Sequence, residues 1–152
     1  MNPEIHLIKL SVNDDEALER AAIAHSESVL GYEFMDGAKK DLIEYIEDWN
    51  NYYGSDVFAI DASGEELSSG LMTVCSNGDG EITIEDLFVR KVARNQGIGR
   101  AAIKALASEY PDARAVKLYS LKSAEEFYQR IGFDQISPST KKCLSLWRKE
   151  LD

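Results

Sequence analysis

"VRKVARNQGIGRAAIKAL", residues 89–106, runs from an apolar, strand-like end through a basic patch into two glycines and then a helix-forming segment. The order strand, short loop, glycine, helix makes an anion site for two physical reasons. The first turn of a helix carries backbone N–H groups with no intrahelical partner, and the macrodipole adds partial positive charge there. Glycine also lets the loop backbone approach a phosphate without a Cβ in the way. Arg90, Lys91, Arg94 and Arg100 gather around Gly97 and Gly99 in a chain of net charge −10, so a bulky anion is expected at this loop.

Which anion depends on the residues around it. Gly97, Gly99 and Ala102 match G-x-G-x-x-A, the glycine pattern of a dinucleotide-binding fold. That fold needs a carboxylate about 20 residues on, at the end of the next strand. The corresponding stretch here, Val116-Lys117-Leu118-Tyr119, has none, and only 53 residues follow Gly99. A P-loop needs G-K-[ST], whereas Gly99 is followed by Arg100-Ala101. Both readings fail.

Working outward, "EITIEDLFV" (81–89), "LSSGLMTVC" (67–75) and "VFAID" (57–61) are β-rich and are separated by the turn sequences "SNGDG" and "ASGEE". They predict an antiparallel meander. "EIHLIKLS" (4–11) alternates as a first strand. Asn13 and Glu16 form a capping-box pattern for a helix that carries Leu18, Ala22, His25 and Val29 on one face and stops at Gly31. Asp36 is the expected cap of a second helix with Leu42, Ile46, Trp49 and Tyr53 as its buried stripe. Beyond the glycine loop, Pro111 stops the third helix and "RAVKLYS" (114–120) is a strand. Ser123 and Glu126 repeat the capping box for a short helix ending at Gly132, and "FDQI" and "CLSLWRKEL" close the chain as strands. The expected order is β-α-α-β-β-β-α-β-α-β-β, an α+β fold in a single domain over residues 1–152.

Composition narrows the function classes. Residues 1–80 hold 4 Lys/Arg against 17 Asp/Glu, while residues 81–152 hold 13 against 10. The acidic half favours a cationic partner; the overall charge argues against nucleic acid. No run of apolar residues is long enough to cross a membrane, and "MNPEIHLIKL" lacks a signal-peptide pattern, so a cytoplasmic location is expected. Cys75 and Cys143, each in an apolar strand-like run, read as buried reduced thiols. His6 and His25 are isolated and read as structural, and no metal-ligand cluster exists in the sequence.

The loop Arg94-x-x-Gly97-x-Gly99, downstream of "IEDLFV" and followed by "EEFYQRIGF" (125–133), resembles the GNAT superfamily of N-acetyltransferases. The combination with Phe127-Tyr128-x-x-x-Gly132-Phe133 is the specific part. The resemblance implies a mixed, mostly antiparallel central sheet flanked by helices, and acetyl-CoA as co-substrate. It places the pyrophosphate on the amides of Arg94, Asn95, Gln96, Gly97, Ile98, Gly99 and Arg100. It places the pantetheine arm beside the backbone of Leu87, Phe88 and Val89, with the strands splaying after "FV". Tyr128 is the implied proton donor to the CoA sulfur. Many relatives have an asparagine seven residues before that tyrosine, where this chain has Leu121; Lys122 or Ser123 is the expected substitute contact. Family members are often homodimers through their last strands.

A primary amine near pKa 10.4 is neutral in only about 1 part in 2,500 at pH 7, a deficit of about 4.6 kcal/mol. A base must therefore act, and Glu85 and Asp86 are the candidates. Strand alternation puts Glu85 on the face of Leu87 and Val89, which favours it. For Tyr128, a phenol near pKa 10 protonating a thiol near 8.5 runs uphill by about 2 kcal/mol, so a hydrogen bond to the developing thiolate describes its role better. "IEDLFV" with "GYEFMD" (31–36) is similar to diamine acetyltransferases of the superfamily, which implies Glu33, Glu85 and Asp86 as acidic contacts for a polyamine-like acceptor. An aminoglycoside or a basic peptide satisfies the same electrostatics. A CoA-binding regulatory module without turnover is the alternative of a different class.

Overall fold

The computed structural model describes residues 4–138 and 144–151. The element order is that expected: β1 (Ile5–Lys9), α1 (Asp15–Leu30), α2 (Ala38–Tyr52), β2 (Ser55–Ala62), β3 (Gly70–Ser76), β4 (Glu81–Val89), α3 (Ile98–Glu109), β5 (Ala115–Ser120), α4 (Glu125–Arg130), β6 (Asp134–Ser137) and β7 (Ser145–Glu150). Single 3-10 turns, Lys91–Ala93 and Lys122–Ala124, precede α3 and α4. The seven strands form one sheet in the order β1-β2-β3-β4-β5-β7-β6. Every neighbouring pair is antiparallel except β4 and β5.

Strand alternation divides the core between the two faces of the sheet. Val57 and Ala59 of β2 and Leu71 of β3 meet Leu18, Ala21, Leu42 and Ile46 of α1 and α2. Phe58 and Ile60 of β2, Met72 and Val74 of β3 and Ile82 and Ile84 of β4 meet Ala102, Ile103 and Leu106 of α3. The same second cluster takes in Phe133 and Trp147, with Tyr128 and Ile131 packed against it. At about 25 cal/mol per Å² of apolar surface, these two layers supply the main driving force for folding.

Several local expectations shift. Asp14, not Asn13, caps α1: its Oδ1 accepts the N–H of Ala17 at 3.2 Å. Gly37 at φ 76°, not Asp36, stands at the start of α2. Among the described residues, neither Ser123 nor any other side chain caps α4, because the Lys122–Ala124 turn supplies its entry. Val29 and Tyr53 end their helical stripes in solvent, one turn past the last packed residue. Cys75 is half-buried rather than enclosed; Cys143 lies outside the described residues.

The main departure is in β4. Thr73 pairs with Asp86 but Val74 pairs with Ile84, so Glu85 is an extra residue, a β-bulge. The bulge resets the alternation, and Ile82, Ile84, Leu87 and Val89 all join the α3-side core. The premise that placed Glu85 with Leu87 and Val89 therefore fails. Pairing with β5 also stops at Ile84↔Leu118, well before the expected opening after Val89. A bulge bends and twists its strand, and here the strands part at the bulge itself.

Candidate active site

The glycine loop begins where β4 ends. Arg94 is extended, Asn95 and Gly97 take left-handed φ of 64° and 77°, and α3 starts at Ile98. Gly97 gives no side-chain cap, and the first helical backbone bond is Ala101 N–H to the Gly97 carbonyl at 3.0 Å. Among the described residues, the N–H groups of Asn95 through Arg100 have no protein partner. A row of unpaired donors at a helix start is the arrangement that binds phosphate oxygens.

The cations are arranged otherwise than the sequence suggests. Arg94 folds back, its Nε donating to the Val89 carbonyl at 2.9 Å while the guanidinium lies 5.6 Å from the Phe88 ring centroid. Arg90 turns inward: its Nη2 donates to Glu33 at 2.9 Å and its Nε lies 3.5 Å from Glu27. Arg90 is thus neutralised in the protein, leaving Lys91, Arg94 and Arg100 as exposed charges. Glu33, one of the expected acceptor contacts, is Arg90's partner.

The far wall comes from α4. A Cβ added to Gly99 would lie 3.2 Å from Phe127 Cζ and 3.8 Å from Val89 Cγ2, so loop, β4 end and α4 converge at this glycine. Tyr128 packs edge-on between Phe127 and Phe133, with centroids 5.1 and 5.6 Å away. Burial raises its phenol pKa above the ordinary 10, and the charge of Asp86 raises it further. Ser123 and Leu121 lie exposed at the turn leading into α4.

Asp86 stands at the bulge. Tyr45 of α2 donates to its Oδ2 at 3.2 Å and lies 2.9 Å from the Thr73 hydroxyl. Behind Tyr45 is the buried ring of His25, 5.3 Å centroid to centroid, itself 2.6 Å from Asp41. Solvent still reaches Asp86, yet the protein packed around it pushes its carboxyl pKa up; the Tyr45 bond, the Leu87 N–H and the charge of His25 pull it partly back. Glu85 is exposed and, among the described residues, has no hydrogen-bond or ion-pair partner. Sequence reasoning missed Tyr45, Thr73 and Asp41. Tyr45 lies three residues from Leu42, at core spacing, and that spacing alone reads as packing.

A phosphate-cradling helix start beside a strand that has left its parallel neighbour suits a co-substrate that joins a pyrophosphate to an extended, amide-bearing arm. Residues 25–143 match the family description "Acetyltransferase (GNAT) domain", and the chain belongs to that family. It is an acetyl-CoA-dependent N-acetyltransferase. No curated protein matches it. Among solved structures it is similar to an acetyltransferase from Thermus thermophilus, with TM-score 0.72 and 17% identity over 99% of this chain and 100% of that one. The PaiA N-acetyltransferase of Thermoplasma acidophilum, solved with coenzyme A, gives TM-score 0.64 at 15% identity over 97% and 99% of the two chains. Tetrahymena GCN5 gives 0.66 at 13% over 97% and 96%. At these identities the likeness is one of fold. The residues present fit the co-substrate: unpaired loop amides for a pyrophosphate, and an unpaired β4 edge beyond Ile84 for an amide-bearing arm. Among the described residues no cluster suits a metal, and no helix is long and apolar enough to cross a membrane.

Proposed function

We propose that the acceptor is a cationic, polyamine-like primary amine, deprotonated by Asp86 and acetylated directly, with Tyr128 assisting departure of the CoA thiolate. The observation that supports this reading is that Asp86, held by Tyr45 where β4 leaves β5, lies near enough to Tyr128 for its charge to act on the phenol. Asp86 is held by α2 on the α1/α2 side, while Tyr128 packs with the α3-side core. The Asp86 charge nevertheless reaches the Tyr128 phenol. An amine arriving at Asp86 thus faces a sulfur beside Tyr128 across the opening, as attack on a thioester carbonyl requires.

The proton and the electron pair then move in one direction. Asp86 takes the ammonium proton, the nitrogen attacks the carbonyl carbon, and the C–S bond breaks. Tyr128, kept protonated by its raised pKa, donates a hydrogen bond as charge develops on sulfur. The pyrophosphate rests on the amides of Asn95 to Arg100, with Arg94 adding charge and Ser123 a hydroxyl on the α4 side. Leu87, Phe88 and Val89 form the strand end beside pantetheine, where the Val89 carbonyl is already held by Arg94 Nε.

Asp86 is preferred to Glu85 because it has a fixed position and a raised pKa, both favourable in a base. Glu85 contributes negative potential at the mouth. Glu33, already paired with Arg90, contributes little net field. The excess of 13 acidic charges in residues 1–80 supports a cationic acceptor.

The test is release of free thiol from acetyl-CoA with spermidine, aminoglycosides, lysine-rich peptides and neutral amino acids. Turnover concentrated on the polycations supports the reading. Preference for a neutral amino acid overturns the acceptor class, and silence across the panel favours a binding module without turnover.

A further inference from the structure

We propose that Tyr45 is a positioning residue for Asp86, and that Thr73 fixes the direction in which its phenol proton points. The inference rests on the reading of Asp86 as the base. Its structural ground is a three-member chain across two strands and a helix: Thr73 Oγ1 to Tyr45 Oη at 2.9 Å, then Tyr45 Oη to Asp86 Oδ2 at 3.2 Å.

The proton order within this chain follows from what each member can do. An ionised carboxylate only accepts, so the Tyr45 hydroxyl donates to Asp86. That leaves the phenol oxygen as an acceptor. The buried Thr73 hydroxyl is the donor within reach of it. Donation by Thr73 polarises the phenol and strengthens its bond to Asp86. Burial pushes the Tyr45 pKa well above the ordinary value, so the phenol remains a donor throughout the working pH range.

The same chain fixes the bulge. Thr73 and Asp86 are backbone partners at the point where the β3–β4 register shifts, so Tyr45 bridges the two side chains nearest the extra residue. Among the described residues, no side chain bonds Oδ1 of Asp86, and that oxygen is the one that receives the acceptor's proton. The other ionisable groups around Asp86 are His25 from α1 with Asp41 of α2 behind it, Glu85 beside it on β4, and Tyr128 from α4. These act on Asp86 through charge or proximity, whereas Tyr45 holds the carboxylate by a direct side-chain bond.

The experiment reads Asp86 itself, independently of any acceptor. The protein is labelled with 13Cγ-aspartate, the Asp86 signal is assigned by its loss in Asp86→Asn, and its titration midpoint is compared between wild type and Tyr45→Phe. The midpoint is expected to move to higher pH in Tyr45→Phe, by a smaller step in Thr73→Val, and to return towards wild type in Thr73→Ser. An unchanged midpoint in Tyr45→Phe overturns the positioning role. If Tyr45→Phe does not fold, Thr73→Val decides, because it leaves the ring packing intact. The parent reading fails separately: an acid limb of kcat that survives Asp86→Asn removes Asp86 as base whatever the titrations show.

Discussion

Glu27, buried in the last turn of α1, accepts the backbone N–H of Lys91 at 2.8 Å, while its other oxygen lies 3.5 Å from Arg90 Nε. One helix carboxylate thus closes the turn that leads into the donor loop and neutralises the guanidinium beside it. Among the described residues, Arg90 Nε has no hydrogen-bond partner in the usual geometric range, so its compensation is the nearby charge. Removing Glu27 leaves the Lys91 N–H without its acceptor and the buried guanidinium with Glu33 as its remaining partner, a loss of about 1–3 kcal/mol. Glu27→Ala is therefore expected to lower stability by about 1–3 kcal/mol in urea unfolding. Glu27→Gln keeps an acceptor for Lys91 and should fall between. Equal stability of all three proteins would show that the pair contributes nothing.

A Cβ at Gly70 would lie 2.1 Å from the Phe88 carbonyl oxygen, a backbone atom of the neighbouring strand. Gly70 pairs with Val89 in the ladder, so relief requires β3 and β4 to part at the donor end of the sheet. Overpacking of this kind costs about 1–3 kcal/mol, more where backbone must move. Gly70→Ala should lower Tm and raise the KM for acetyl-CoA together. A KM change without a Tm change would point to a different origin.

At Gly99 the conflict is with a side chain. The 3.2 Å approach to Phe127 Cζ can be relieved by tilting the ring, so Gly99→Ala should be tolerated. Gly99→Val should displace Phe127, and with it Tyr128, whose ring packs against it at 5.1 Å. The expected signature is a fall in kcat for valine with little effect for alanine, measured by thiol release. Equal losses in the two variants would place the effect in the loop backbone instead.

The sequence carried the element order because periodicity and turn chemistry are local. It carried the donor loop because glycine and unpaired helix-start amides are local too. The bulge at Glu85 was not legible: "TIEDLFV" alternates acceptably as a plain strand, and the register shift exists only against Thr73 of β3. Without it, Glu85 falls on the face of Leu87 and the strands part too late. The fate of Arg90 was hidden for a similar reason. Its partners lie 57 and 63 positions away in sequence, at Glu33 and Glu27, and charge clustering along the chain says nothing about folding back onto α1.

Tyr128 should remain a phenol at every pH the enzyme tolerates, since burial and the Asp86 charge raise its pKa above 10. Tyr128→Phe is expected to reduce kcat by about 10²–10⁴-fold, the usual range for a group that assists proton transfer. In wild type, no loss of kcat from phenol ionisation should appear below about pH 10, the unperturbed value. A wild-type kcat that falls between pH 8 and 9, with the fall absent in Tyr128→Phe, would contradict the raised pKa.

Asp86 sets activity against stability. Its pKa is raised in the folded protein, with burial as the leading cause, so the folded state holds the proton more tightly than the unfolded chain does. The stabilisation linked to that proton is full below the unfolded value of about 3.9 and is lost as pH rises through the folded pKa. At neutral pH the carboxylate is therefore a liability to the fold. Asp86→Asn removes the charge and leaves an amide oxygen that can still accept from Tyr45. It should raise Tm at pH 7 relative to wild type, with the gain shrinking towards pH 3. The same substitution should lower kcat by about 10²–10⁴-fold and flatten its acid limb. Thermal unfolding at pH 3, 5 and 7, run beside thiol release on the same samples, separates the two effects. A Tm difference that is independent of pH would mean that packing, not the charge, sets the stability of this site.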